Sequence, residues 1–280
     1  LYEAKLLIIG EGGAGKTSLA KKIEDKNYKL NSDEKTTEGI DVIKWKFPLL
    51  NGQEFRVNIW DFGGQEIYHE THQFFLSKRS FYILVADSRE ENNNFYWWLK
   101  VVELLSENSP VLIIKNEKQN RSCNINEREL RGEFSNLKEV LATNLADNRG
   151  LNKVKEEIQN YITRLPHVGD KSPLPKLWVR VRSALENSSR NYISREEYYQ
   201  LCRINNLTDR KDMERLSGFL HDLGVCLHFQ DDSTLKHYVI LKPEWATAAV
   251  YKVLDNETVK KTNLGCFTQE QLADIWKDSE

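Results

Sequence analysis

Leu6-Leu7-Ile8-Ile9-Gly10-Glu11-Gly12-Gly13-Ala14-Gly15-Lys16-Thr17 is the segment from which the rest of this chain can be read. Its four apolar residues form a short continuous run bounded by glycine, the pattern of a parallel strand buried on both faces. Gly10 to Thr17 fits G-x-x-x-x-G-K-[ST]. Polyphosphate needs several backbone N–H groups converging on it. Glycines let the chain wrap closely without Cβ clashes, and the N-terminus of the next helix, Lys16 to about Asp25, adds a favourable dipole. Gly13, Ala14, Gly15, Lys16, Thr17 and Ser18 are therefore the expected phosphate-binding residues. Lys16 would reach the β and γ phosphates, and the Thr17 hydroxyl would ligate Mg2+.

Downstream, Asp41–Leu50 and Gln53–Trp60 suit strands. Asn51-Gly52 between them supplies the positive φ of a tight antiparallel hairpin. Phe81–Ala86 and Val111–Ile114 read as buried strands, Val140–Thr143 as a last strand, and Asn94–Leu105, Asn126–Lys138 and Leu151–Leu165 as helices. This alternation predicts an α/β fold with a mostly parallel sheet and helices on both faces.

Asp61 follows the alternating strand Phe55, Val57, Ile59. A carboxylate at the C-terminal end of a sheet strand is placed to hold hydrated Mg2+. Asp61-Phe62-Gly63-Gly64 is also D-x-x-G, in which the Gly64 N–H would sense a γ-phosphate. The Gln65 carboxamide would orient an attacking water. Thr37, in Thr37-Glu38-Gly39-Ile40-Asp41, would put its hydroxyl on Mg2+ and its N–H on the γ-phosphate. Gln65, Lys16 and Thr37 are thus the expected catalytic residues, and Thr17, Thr37 and Asp61 the expected metal ligands. His69-Glu70-Thr71-His72 lacks the H-E-x-x-H spacing and is read as two histidines on the segment after Gly64. Phe95, Trp97, Trp98 and Leu99 read as an aromatic helix face packed on the sheet.

Leu165 to Pro175 holds three of the six prolines and breaks the pattern. Proline and glycine at this density favour an extended linker. Residues 1–165 are expected to form one domain, 166–176 a linker and 177–280 a second domain. Leu177–Glu186 is a helix candidate. Ser194-Arg195-Glu196-Glu197 is a capping box for a helix to about Ile204. Thr208 would cap a third helix ending at Gly224. Strands Val225–Phe229 and Tyr238–Leu241, around Gln230–Ser233, would make a wing. Pro243 would open a helix Glu244–Leu254, and Thr268–Lys277 would form a last one. Three helices followed by a two-stranded wing describe a winged-helix-like α+β domain.

Composition narrows the partners. Forty basic and 42 acidic residues leave a net charge of −2, without the footprint of a chain that coats nucleic acid or anionic lipid. The helix after Thr208 mixes Arg210, Lys211 and Arg215 with Asp209, Asp212, Glu214 and Asp222, a poor reading helix for DNA. Cys123, Cys202, Cys226 and Cys266 form no Cys-x-x-Cys pair, so they read as reduced thiols of a cytoplasmic protein. No apolar run reaches the roughly 18 residues of a membrane span, and no signal peptide is expected.

The glycine loop, Thr37-Glu38-Gly39-Ile40 and Trp60-Asp61-Phe62-Gly63-Gly64-Gln65-Glu66 together resemble a Ras-like GTPase. Ile67-Tyr68-His69-Glu70-Thr71-His72-Gln73-Phe74-Phe75-Leu76 is similar to the Roc domain of the Roco family. Glu197-Tyr198-Tyr199, Leu220-His221-Asp222-Leu223-Gly224 and Pro243-Glu244-Trp245 resemble that family's COR domain, here without its C-terminal half. The resemblance implies GTP/GDP binding, Mg2+ dependence, slow GTP hydrolysis and a homodimer in the full-length protein. It also implies N-K-x-D after the fifth strand, where this chain reads Lys115-Asn116-Glu117-Lys118-Gln119-Asn120. With one residue inserted, Asn116 and Lys118 fit the first two places and Asn120 replaces the Asp. With the register moved back, Lys115 and Glu117 fit the last two. Thr143-Asn144-Leu145 stands where backbone N–H groups would meet the base oxygen, making Asn144 and Leu145 candidate base residues. A GDP-holding scaffold with negligible hydrolysis and a P-loop ATPase are the alternative functions.

Overall fold

The structure is a computed structural model and describes residues 2–31, 39–63, 75–89, 94–122, 124–169, 174–254, 256–259 and 267–277. Thr37, Gly64, Gln65, His69 and His72 lie outside the described residues, as do Cys123 and Cys266. The first lobe runs β1 (Glu3–Ile9), α1 (Lys16–Glu24), β2 (Ile40–Pro48), β3 (Glu54–Phe62), β4 (Phe81–Asp87), α2 (Phe95–Leu105), β5 (Val111–Asn116), α3 (Glu127–Glu133), β6 (Leu137–Thr143) and α4 (Leu151–Ile162).

The six strands form one sheet in the order β2-β3-β1-β4-β5-β6. Only the β2–β3 pair is antiparallel. Its turn carries Gly52 at φ 80°, and Asn51 Oδ1 accepts from Gln53 N–H. Strand β1 shows why the sheet needs cover on both faces. Ala4, Leu6 and Ile8 enter one core cluster, with α1 and α4. Leu7 and Ile9 enter another, with Trp60, Tyr82 and Trp98. Side chains two apart share a face of a strand, so one apolar run feeds two cores.

Several boundaries differ from the sequence expectation. Strand β1 reaches back through Lys5 to Glu3, both buried despite their charge. Strand β3 contains Asp61, which pairs with Ile8 on one side and Asp41 on the other. The helix expected to Lys138 stops at Glu133. Phe134 turns to extended backbone, Asn136 Nδ2 donates to Ser109 O, and Leu137 already belongs to β6.

The second lobe comprises α5 (Lys176–Glu186), β7 (Tyr192–Ser194), α6 (Arg195–Ile204), α7 (Arg210–Asp222), β8 (Tyr238–Ile240), α8 (Pro243–Leu254) and α9 (Gln269–Trp276). Ser194 and Glu197 form the expected capping box of α6. Asp209, not Thr208, caps α7, because its carboxylate accepts from Asp212 N–H. The wing also differs: β8 pairs with β7, and Val225–Phe229 contributes one bridge, Leu227 to Ile240. Cys202 and Cys226 are buried free thiols in this lobe's own core.

The second lobe covers the β2–β3–β1 part of one sheet face. Leu227 and Tyr251 belong to the same core cluster as Trp60 and Phe62. Gly224, at φ 68°, lies so close to Trp60 that a Cβ there would meet Nε1 at 2.5 Å. No helix among the described residues is long and apolar enough to cross a membrane.

Candidate functional site

The candidate site lies at the C-terminal ends of β1, β3, β4 and β5, where a parallel sheet leaves a crevice. Gly15 ends the glycine loop at φ 100°, and a Cβ there would meet Asn116 Nδ2 at 2.5 Å, so the close approach needs glycine. Thr17 and Ser18 stand in the first turn of α1, whose N-terminal N–H groups have no intrahelical acceptor. Lys16 is buried, and its Nζ donates to Gly10 O at 2.9 Å and Glu11 O at 2.8 Å. Burial pushes its pKa down to about 8, while Asp61 and Glu11 pull it up and Lys118 pushes it down. Asp61 is fully buried at the end of β3.

The loop after β5 docks on the glycine loop. Asn116 Nδ2 donates to Ala14 O at 2.9 Å, and Lys118 Nζ donates to Gly13 O. These contacts place Asn116 and Lys118 side by side over the loop, with Glu117 between them in sequence. Glu117 turns outward to Arg149 at 3.0 Å, and its N–H donates to Thr143 O. Lys115 is in the strand, paired with Ala142. Leu145 is buried beside Ala14 in the core, and Gly15 sits against it. Asn144 N–H donates to Arg149 O, and its Oδ1 accepts from Ala146 N–H. Both Asn144 groups therefore serve the turn, which takes its N–H away from a base.

Sequence did not single out Asp87, and it singled out Trp98 only as packing. Asp87, at the end of β4, is buried and accepts from Lys118 Nζ at 3.1 Å and from Arg89 Nη2 at 2.7 Å. Burial alone would raise its carboxyl; Arg89 and Lys118 hold it below the usual range. The available signal was an acidic residue immediately after the buried run Phe81–Ala86. Trp98, read as packing, also donates from Nε1 to Glu11 Oε1 at 3.1 Å, clamping the glycine loop to α2.

Among the described residues, no group of three or more His, Cys, Asp or Glu is arranged to hold a metal by itself. Thr17 and Asp61 supply a hydroxyl and one carboxylate. That hard oxygen set suits Mg2+, which is usually completed by substrate phosphates and water.

Comparison with known proteins fits this geometry. A family model described as "Ras of Complex, Roc, domain of DAPkinase" matches residues 5–119, and one described as "C-terminal of Roc, COR-A domain" matches residues 175–280. A solved structure of Methanosarcina barkeri Roco2 RocCORdC bound to GDP superposes with a TM-score of 0.87. It is 37% identical and is matched over 99% of this chain and 84% of that one. This chain belongs to the Roco family. Its relatives include a Roc-COR-CHAT protease of Runella zeae, 29% identical over 92% of this Roco chain and 30% of that protein. Another is the probable serine/threonine-protein kinase pats1 of Dictyostelium discoideum, 26% identical over 99% of this chain and 10% of that protein. The Roco chain thus spans 10% to 30% of the length of these two relatives.

Proposed function

We propose that this Roco chain is a guanine-nucleotide-binding switch that hydrolyses GTP slowly, with residues 1–165 as its Roc domain, 166–176 as a linker and 177–280 as the first COR subdomain. The observation that carries the reading is the pair of hydrogen bonds from Asn116 and Lys118 to Ala14 O and Gly13 O. They bring a base-reading loop onto a phosphate-binding loop, as a nucleoside diphosphate requires. The GDP in the Methanosarcina barkeri Roco2 structure supports the same ligand class.

The chain's own residues have distinct tasks in this reading. The glycine-loop N–H groups and the α1 N-terminus bind the phosphates. Lys16 would leave Gly10 O and Glu11 O to meet phosphate oxygens, which hold its proton in place. Thr17 and Asp61 would hold Mg2+, with Thr37 as a further ligand; the ion neutralises phosphate charge when bound. Gln65 would orient a water in line with the γ-phosphorus. The water oxygen bonds to the γ-phosphorus and gives up a proton to a γ-phosphate oxygen, the bond to the bridging oxygen breaks, and GDP leaves with that electron pair. Catalysis is then mostly positioning and charge stabilisation. Pairing with a second copy in the full-length protein belongs to the same proposal.

Lys16→Ala tests the site. The variant should fold and lose detectable nucleotide binding; unchanged affinity would remove the glycine loop from the function. Single-turnover hydrolysis separates the switch from a GDP-holding scaffold. A measurable rate that Gln65→Leu lowers supports the switch, and no turnover supports the scaffold.

A further inference from the structure

Tyr251 of the COR-A lobe packs at the end of the sheet where β3 delivers Asp61. Edge strand β2 begins at Ile40, which pairs with Phe62, the neighbour of Asp61. Just before it, Gly39 takes φ 96°, and its carbonyl accepts a 2.9 Å hydrogen bond from Gly63 N–H. This bond closes the hairpin where it delivers Asp61. Neither glycine has a side chain to hold the corner, and glycine has the most backbone freedom to regain when a corner opens. Tyr251 of α8 supplies the missing wall. A Cβ on Gly39 would meet Tyr251 Cδ2 at 2.9 Å and Cε2 at 3.5 Å. Tyr251 is 1% exposed and shares a core cluster with Ile40, Trp60 and Phe62. Pro243 and Thr247 are buried along the same face of α8, so the ring is delivered by a seated helix.

We propose that Tyr251 is a positioning residue for the Asp61–Gly63 corner: its ring braces the Gly39–Gly63 hydrogen bond, so the COR-A lobe helps fix the carboxylate that holds Mg2+. The proposal rests on the nucleotide-binding reading above. It predicts an effect confined to the metal end of the site, because Asn116 and Lys118 are anchored on glycine-loop carbonyls and not on β2.

The test compares the whole chain with Tyr251→Ala, Tyr251→Leu and Tyr251→Phe. Leucine keeps much of the apolar volume should alanine fail to fold. The first readout is hydrogen exchange at the Gly63 amide without nucleotide. The second is release of a fluorescent GDP analogue, with Mg2+ and with chelator. Tyr251→Ala and Tyr251→Leu should speed Gly63 exchange, and GDP release in Mg2+, by about tenfold. Their release in chelator should equal that of the wild-type chain, and Tyr251→Phe, which keeps the ring, should exchange at Gly63 more slowly than Tyr251→Leu. Unchanged Gly63 exchange in folded Tyr251→Leu would overturn the brace. Equal acceleration with and without Mg2+ would show general loosening and also overturn it, as would a phenylalanine variant that behaves like leucine. A wild-type chain that retains no GDP would instead overturn the nucleotide reading, a failure distinct from unchanged exchange at Gly63.

Discussion

Arg182 Nη1 and Nη2 meet Glu3 Oε2 and Oε1 at 2.6 and 2.9 Å, joining COR-A helix α5 to the first strand of the Roc sheet. Both side chains are largely buried, at 10% and 4% exposure. Asn58 Nδ2 adds a donor to Glu3 Oε1 at 2.8 Å and reaches Leu223 O at 3.0 Å. Glu186 takes the other edge of Arg182 at 3.0 Å. The network ties β1, which leads to Lys16, and β3, which carries Asp61, to helix α5 and the end of α7 in the second lobe.

Removing one partner of this pair should cost much more than removing both. Arg182→Leu leaves a buried carboxylate and should destabilise the chain by about 3–5 kcal/mol. Glu3→Leu combined with Arg182→Leu should recover most of that loss, since neither charge then needs solvation. Denaturant unfolding of the single and double variants gives the coupling. Additive losses would show that the two residues do not act as a buried pair.

Lys5 makes stability depend on pH. Its Nζ donates to Phe75 O and Ser77 Oγ, each at 3.0 Å, and lies 3.7 Å from the Trp60 ring centroid. Burial pushes its pKa down to about 7 from the ordinary 10.5, against the pull of Asp222. Between those values the unfolded chain holds a proton that the folded chain has released, so stability rises with pH across the window. Below about pH 7 the cost of the buried charge is fully present. The slope from one such group is at most about 1.4 kcal/mol per pH unit. Lys16, at about 8, adds the same sign. Cys202 and Cys226, pushed up by burial to about 11 and 12, act oppositely above the thiol's ordinary 9.0, where the unfolded chain loses the proton first. Lys5→Met should flatten the rise between about pH 7 and 9. An unchanged slope would mean that Lys5 keeps one charge state throughout.

The inserted residue and its neighbours should separate cleanly. Asn116→Ala removes the donor to Ala14 O and should weaken nucleotide binding by about 1–3 kcal/mol. Glu117→Ala breaks only its pair with Arg149, which is 56% exposed, and should change stability by about 0–1 kcal/mol without altering nucleotide affinity. Calorimetric titration of both variants checks the contrast. A larger loss of nucleotide affinity for Glu117→Ala would favour the register in which Lys115 and Glu117 fill the last two places of the motif.

The glycine loop, the antiparallel hairpin and the capping box of α6 were legible because each depends on neighbours within a few residues. The spacing of Asn116 and Lys118, with one insertion allowed, drew attention to a segment that the structure docks on the glycine loop. Glu3 and Lys5 hid the true start of β1, since charged residues argue against a buried strand until Arg182, Phe75 and Ser77 are known to meet them. The helix after Asn126 was overextended because Phe134 and Leu137 continue its apolar spacing, while Asn136 turns the chain by bonding to Ser109. Strand β7 escaped notice because its three residues mean little until β8 lies beside them. Asp87, Trp98 and Tyr251 share the same obstacle: each acts on a partner far away in sequence.

Calorimetric titration of GDP and ADP into nucleotide-free protein with Mg2+ tests the central claim most directly. Strong preference for GDP is the predicted result, with the loop around Asn116 and Lys118 reading guanine despite the inserted Glu117. Equal affinity, or preference for ADP, would contradict the guanine-nucleotide switch while leaving the phosphate-binding fold in place.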